Sequence, residues 1–187
     1  MELETKRLLL RPWDRSDAKD LFEVASDPEV GLRCGWKPHQ NEEESAWIIE
    51  NVLSNPYDFA IILKESGKAV GSISLMENRM AMPLGQENRK AMEAGFWLGR
   101  PFWKKQIMSE ALSEILRFAF EDLGLDGAAC GHADFNEGSH AIQCKMGFEL
   151  VRITENSPVP LLDTTWTLVE NYLTKDKWLA MHSDSAN

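Results

Sequence analysis

Between residues 93 and 112 the chain reads EAGFWLGRPFWKKQIMSEAL, an apolar strand, a short turn and the start of an amphipathic helix. A strand feeding a helix N-terminus suits a pyrophosphate, because free backbone N–H groups and the helix dipole both favour an anion there. The turn carries Arg100, Lys104 and Lys105 on a chain of formal charge −10. A basic island on an acidic protein points to a phosphate-bearing ligand more than to a polyanion-binding face. Glu93 opens this strand with a carboxylate able to act as a base. Further on, Asn136 and Ser139 stand three apart and share one helical face. Asn136 can contact a ligand or cap the helix, and the two roles are compatible. His132 ends a strand, and His140 follows Ser139 and is expected to point away from it. HADFN has no ligand-type spacing, so no metal is expected.

These residues need a frame. Alternation over 7–13 gives a first strand with Leu8 and Leu10 on one face. Asp14 or Ser16 can cap a helix running to about Ala25. Asn41 can cap another, with Trp47, Ile48 and Val52 as its apolar side. Strands at 58–64 and 69–76 are joined by ESGK, a hairpin turn. Residues 77–92 read as a polar loop of a length that is often functional. The strand at 93–98 follows, then a helix over 108–123 with Met108, Ala111, Leu112, Ile115 and Ala119 in one stripe and Gly124 as its stop. A strand at 127–132, a helix at 136–146 ended by Gly147, strands at 148–153 and 164–169, a helix over 171–181 and a frayed tail at 183–187 complete the reading. The order predicts one α/β domain over 1–187, its sheet antiparallel in the first half and parallel at its centre. A ligand belongs at the carboxyl ends of the central strands, beside a helix N-terminus.

The 187 residues are 43% hydrophobic and 27% charged, which fits one globular domain with a substantial core. No apolar run approaches the roughly 18 residues that cross a membrane. MELETKRLLLRPWD lacks the apolar core of a signal peptide, so a cytoplasmic protein is expected. The acidic balance argues against nucleic acid as a partner. Cys34, Cys130 and Cys144 lack metal-type spacing and read as inert thiols. The tryptophans, Trp36, Trp47, Trp97, Trp103, Trp166 and Trp178 among them, read mostly as core.

Several segments together resemble one family. ETKRLLLRP at 4–12 looks like the opening strand of the GNAT N-acetyltransferases of the RimJ/RimL type. GKAVGSISL at 67–75 resembles their central hairpin, and EAGFWLGRPFW at 93–103 the strand that splays from its neighbour to admit the cofactor. SEAL at 109–112 matches the helix after the phosphate turn. NEGSHAIQCKMGF at 136–148 matches a helix whose pattern is N-x-x-S followed by Gly-Phe. Each motif alone is weak, but five in series cover nearly the whole chain. The resemblance implies acetyl-CoA as cosubstrate and a mixed sheet whose central strands splay around it, flanked by helices. It implies coenzyme contacts from Phe96, Trp97 and Leu98, chiefly through backbone N–H groups. Further contacts come from Trp103, Lys104, Lys105, Gln106, Ile107, Met108 and Ser109, and from Asn136 and Ser139. Glu93 becomes the candidate base for the acceptor amine, Ser139 the donor to the departing thiolate, and Trp36 a candidate lining of the acceptor pocket.

Two departures matter. The family's phosphate turn usually has glycine at the positions of Lys104 and Gln106. These residues can present backbone N–H groups if their dihedrals stay helical, and Lys104 and Lys105 can add charge. Many family members carry a tyrosine where Gln143 stands; RimL-like enzymes lack it and are thought to use the serine that maps to Ser139. The implied reaction is direct attack of an amine on the thioester in a ternary complex. The acceptor is a protein N-terminal amine or a small-molecule amine, and a homodimer is compatible with the family. The alternative is a non-catalytic acyl-CoA-binding or regulatory module that keeps the fold.

Overall fold

The computed structural model describes residues 1–183, so positions 184–187 of the expected frayed tail lie outside the described residues. Leu3–Glu4 (β1) and Leu8–Pro12 (β2) pair antiparallel, with Leu3 opposite Leu10. Leu8 and Leu10 are fully buried, as the alternation requires. A capping box follows, in which Asp14 accepts from the Ser16 N–H and Asp17 accepts from the Asp14 N–H. It starts a 3-10 turn that leads into Ala18–Ala25 (α1).

Pro28–Cys34 (α2) is a helix that the pattern does not announce. It is only seven residues long and contains Gly31, too short for a helical stripe to register. Asp27 caps it and Gly35 closes it at φ 88. Asn41 caps Glu42–Asn51 (α3) through the Glu44 N–H at 2.8 Å, but the buried face is not the expected one. Ser45, Ala46 and Ile49 are buried, whereas Trp47 and Val52 are exposed. The small Ser45 and Ala46 suit a closely packed face, which a tryptophan would hold apart.

Asp58–Leu63 (β3) and Ala69–Glu77 (β4) form the hairpin, turning at Gly67 with φ 69. Ala91–Leu98 (β5), Gly127–Ala133 (β6), Glu149–Val159 (β7) and Thr164–Thr174 (β8) complete one mixed sheet. Its eight strands run β1-β2-β3-β4-β5-β6-β8-β7, with β5–β6 a parallel pair. The helices are Ile107–Arg117 (α4), extended by a π turn to Asp122, Glu137–Lys145 (α5) and Lys175–Ser183 (α6). The helix expected over 171–181 starts only at Lys175. Asn171 and Tyr172 pair with Cys130 and Ala129 of β6, so sheet pairing prevails over the local pattern.

The chain divides into two compact units. The first comprises Met1–Ser74, Phe96–Glu114 and Val159–Asp163. Its core joins Trp13, Leu21, Ala25, Ile49, Ala60 and Ile62. The second comprises Leu75–Gly95, Ile115–Pro158 and the chain from Thr164 on. There β6 and β8 pair over seven residues, and Tyr172, Leu173, Phe120 and Trp178 are buried. No helix among the described residues is long and apolar enough to cross a membrane.

Candidate active site

The first unit holds the phosphate turn. Gly71 lets β4 and β5 approach, since a Cβ there would lie 2.5 Å from the Trp97 carbonyl oxygen. At the end of β5 the Trp103 indole Nε1 donates to the Leu98 carbonyl at 2.7 Å and ties the turn to the strand. Lys104 and Gln106 adopt φ 60 and φ 62. The right-handed helical dihedrals under which these residues would present their N–H groups are thus not the ones they adopt. Both residues adopt the left-handed conformation that glycine adopts freely, and each pays about 1 kcal/mol for its Cβ there. Two left-handed residues thus stand ahead of α4 without being glycines.

Arg7 braces this turn, and the motif reading did not find it. Its Nη1 donates to the Lys105 carbonyl at 3.0 Å. Its backbone N–H and Nε both donate to Glu110, at 2.8 and 2.6 Å, and the Thr5 hydroxyl donates to the same carboxylate. Glu110 stands one turn into α4, so the brace fixes the helix start. Burial raises the Glu110 carboxyl, while Thr5 and Arg7 outweigh it and hold it below its usual range. No local sequence signal links residues a hundred positions apart.

Lys104, Lys105 and Gln106 are exposed, with the Lys105 ammonium 5.6 Å from the centre of the Phe102 ring. Ile107 and Met108 are buried, so only their backbone N–H groups could meet a ligand, while Ser109 is half-buried. Phe96 and Trp97 are half-buried and Leu98 is buried. Trp97 stacks on Trp13 at 6.3 Å and meets Trp36 edge-on at 5.8 Å. Trp36 is thus part of an aromatic wall, packed also on His39 at 5.3 Å.

The second unit holds Glu93, Asn136 and Ser139. Pairing of β5 with β6 covers Ala91–Glu93 against Gly127–Ala129, while β5 itself runs on to Leu98. Glu93 is half-buried at the last paired position. Burial raises its carboxyl above the usual range; the Arg79 backbone N–H and charge oppose this, and Glu170 adds to it. Glu170 is buried and forked to Arg152 at 2.5 and 2.8 Å. It also accepts from the Ala81 N–H at 2.9 Å and from the Thr154 hydroxyl at 3.0 Å. Glu170, buried and paired with the exposed Arg152, therefore holds the 78–90 loop at Ala81, two residues from Arg79, whose backbone N–H meets Glu93.

Asn136 caps α5 through the Ser139 N–H at 3.2 Å. Ser139 Oγ accepts from Gln143 Nε2 at 3.0 Å. Gln143, at the family's tyrosine position, is fully buried and is held by Asn171 at 2.7 Å. His132 is buried beside Asn171, and its ring lies 5.2 Å from that of His140. Cys130 is buried and its thiol is pushed up, first by burial and then by the charge of Glu93. Among the described residues no group of His, Cys, Asp and Glu is placed to hold a metal ion.

The Acetyltransferase (GNAT) domain family matches residues 7–149. The N-acetyltransferase p20 of Bacillus licheniformis, uncharacterized by name, is 30% identical over 66% of this chain and 68% of its own. The Bacillus subtilis (strain 168) protein YdaF, whose name provisionally makes it a ribosomal N-acetyltransferase, is 38% identical over 44% of this chain and 41% of its own. A GCN5-related N-acetyltransferase from Brucella melitensis superposes with a TM-score of 0.81 at 20% identity, over 98% of this chain and 82% of its own. The motifs in series, the sheet and these matches agree: the chain belongs to the GNAT family of acetyltransferases, with likeness to its RimJ/RimL-type branch.

Proposed function

We propose that this protein transfers the acetyl group of acetyl-CoA to a primary amine, by direct attack in a ternary complex, within one domain spanning the chain. The observation that carries the reading is the left-handed pair Lys104 and Gln106 directly before α4. It supports a working phosphate turn rather than a degraded one, because a lost function would relieve this strain instead of keeping it. Backbone N–H groups of the turn and of the first turn of α4 would hold the pyrophosphate, with Lys104 and Lys105 adding charge. Acetyl-CoA supplies an activated acetyl thioester. Phe96, Trp97 and Leu98 would orient it along β5.

Glu93 takes the proton that the attacking amine gives up, and its raised carboxyl suits that task. Ser139 gives its hydroxyl proton to the departing sulfur and recovers one from solvent. An α-amino group has a pKa of about 8 against about 10.4 for lysine, so a carboxylate base favours a protein N-terminus as acceptor. The name of the YdaF relative favours a protein acceptor too. Trp36 would line the acceptor side, and the setting is cytoplasmic.

The test is thiol release from acetyl-CoA with peptides bearing free or blocked α-amines, beside a panel of small amines. Release with free N-termini and none with blocked ones is expected. Turnover confined to small amines would reject the N-terminal acceptor, and no turnover with any amine would reject the transferase reading.

A further inference from the structure

Four polar side chains of the second unit form a hydrogen-bond chain whose direction is fixed from one end. The Gly131 carbonyl can only accept. It lies 3.3 Å from the Gln143 amide, so that end of the amide is Nε2. The same nitrogen stands 3.0 Å from Ser139 Oγ, which therefore accepts its second hydrogen. Gln143 Oε1 then takes Asn171 Nδ2 at 2.7 Å. Asn171 Nδ2 also faces His132 Nδ1 at 3.4 Å, which leaves Nδ1 bare and the ring proton on Nε2. Gln143, Asn171 and His132 are 1%, 7% and 6% exposed, so water does not substitute freely for these bonds.

We propose that Gln143 and Asn171 are positioning residues that keep the Ser139 hydroxyl proton turned out of this chain, and that a proton on His132 Nδ1 reverses them. The proposal rests on the reading of Ser139 as the donor to the departing sulfur. A proton on Nδ1 would set donor against donor at Asn171, so Asn171 would present Oδ1 instead. Gln143 would then turn its Nε2 to Asn171 and its Oε1 to Ser139. That orientation draws the serine proton inward and sets Oε1 against the Gly131 carbonyl. This clash resists reversal and favours a neutral His132. The groups facing His132 are Asn171 from β8, Gln143 and His140 from α5, and Asp134 beyond the end of β6. Burial lowers its pKa, the nearby Gln143 amide raises it, the His140 charge lowers it and Asp134 raises it, with a net lowering.

Asn171→Asp tests the chain in the full-length protein, because the isosteric carboxylate can only accept. The tautomer and titration of His132 are read by nitrogen-15 NMR in wild type and variant, beside steady-state kinetics and Ser139→Ala. The wild-type ring should carry its proton on Nε2. Asn171→Asp should move it to Nδ1, raise the His132 pKa, and lower kcat on the order of tenfold to a hundredfold with KM for acetyl-CoA unchanged. A wild-type ring protonated on Nδ1 would overturn the proposal without any variant. So would an Asn171→Asp variant with unchanged tautomer and unchanged kcat beside a slow Ser139→Ala. Wild-type turnover in Ser139→Ala would instead remove the donor reading on which the proposal stands.

Discussion

Glu93 is held half out of water at the end of its paired stretch, beside a second carboxylate, Glu170. Its folded pKa lies above its ordinary value, so the ionised form is the one that folding disfavours. The carboxyl therefore contributes stability below its unfolded pKa of about 4.3, and that contribution is lost as pH rises through the raised folded value. A base must be ionised to act, so activity should rise over the same window in which this stability is lost. Glu93→Gln should lower kcat on the order of a hundredfold or more and abolish the acid limb of the pH–rate profile. Its melting temperature at neutral pH should equal or exceed the wild type. A variant that keeps full activity and an unmoved acid limb would remove Glu93 from the mechanism.

The turn before α4 is a glycine-type conformation built from other residues. Arg7, Glu110 and the Trp103 indole over-determine it, through bonds to the Lys105 carbonyl, the helix start and the Leu98 carbonyl. A residue held left-handed by its surroundings tolerates glycine well and a β-branched residue badly. Gln106→Gly should leave acetyl-CoA affinity within a few-fold of wild type and shift stability by less than about 1 kcal/mol. Gln106→Val should cost about 1–2 kcal/mol in thermal or urea unfolding and weaken acetyl-CoA binding. Equal behaviour of the two variants would mean that the backbone conformation at this position does not matter to the site.

Across the whole molecule, legibility followed the range of the interaction that decides each feature. Caps at Asp14, Asn41 and Asn136 were readable because a cap and its N–H partner lie two or three residues apart. So was the buried stripe of α4, which its own period encodes. The strand at Asn171 and Tyr172 was not, since its partner Cys130–Ala129 lies some forty residues away. Nor was the exposed Trp47, because the choice of buried face depends on what packs against α3. In the site, residue types at Glu93, Ser139 and Lys104 pointed to the chemistry. The left-handed turn, the Arg7 brace and the Gln143–Asn171 chain appear only where distant segments meet.

Whether WKKQIM holds the coenzyme is read by calorimetric titration with acetyl-CoA, beside dephospho-CoA and the Lys104→Glu/Lys105→Glu double variant. A dissociation constant in the micromolar range, about −8 kcal/mol, and a sharp loss of affinity in the double variant are expected. An absence of binding at millimolar acetyl-CoA would contradict a turn that holds the coenzyme.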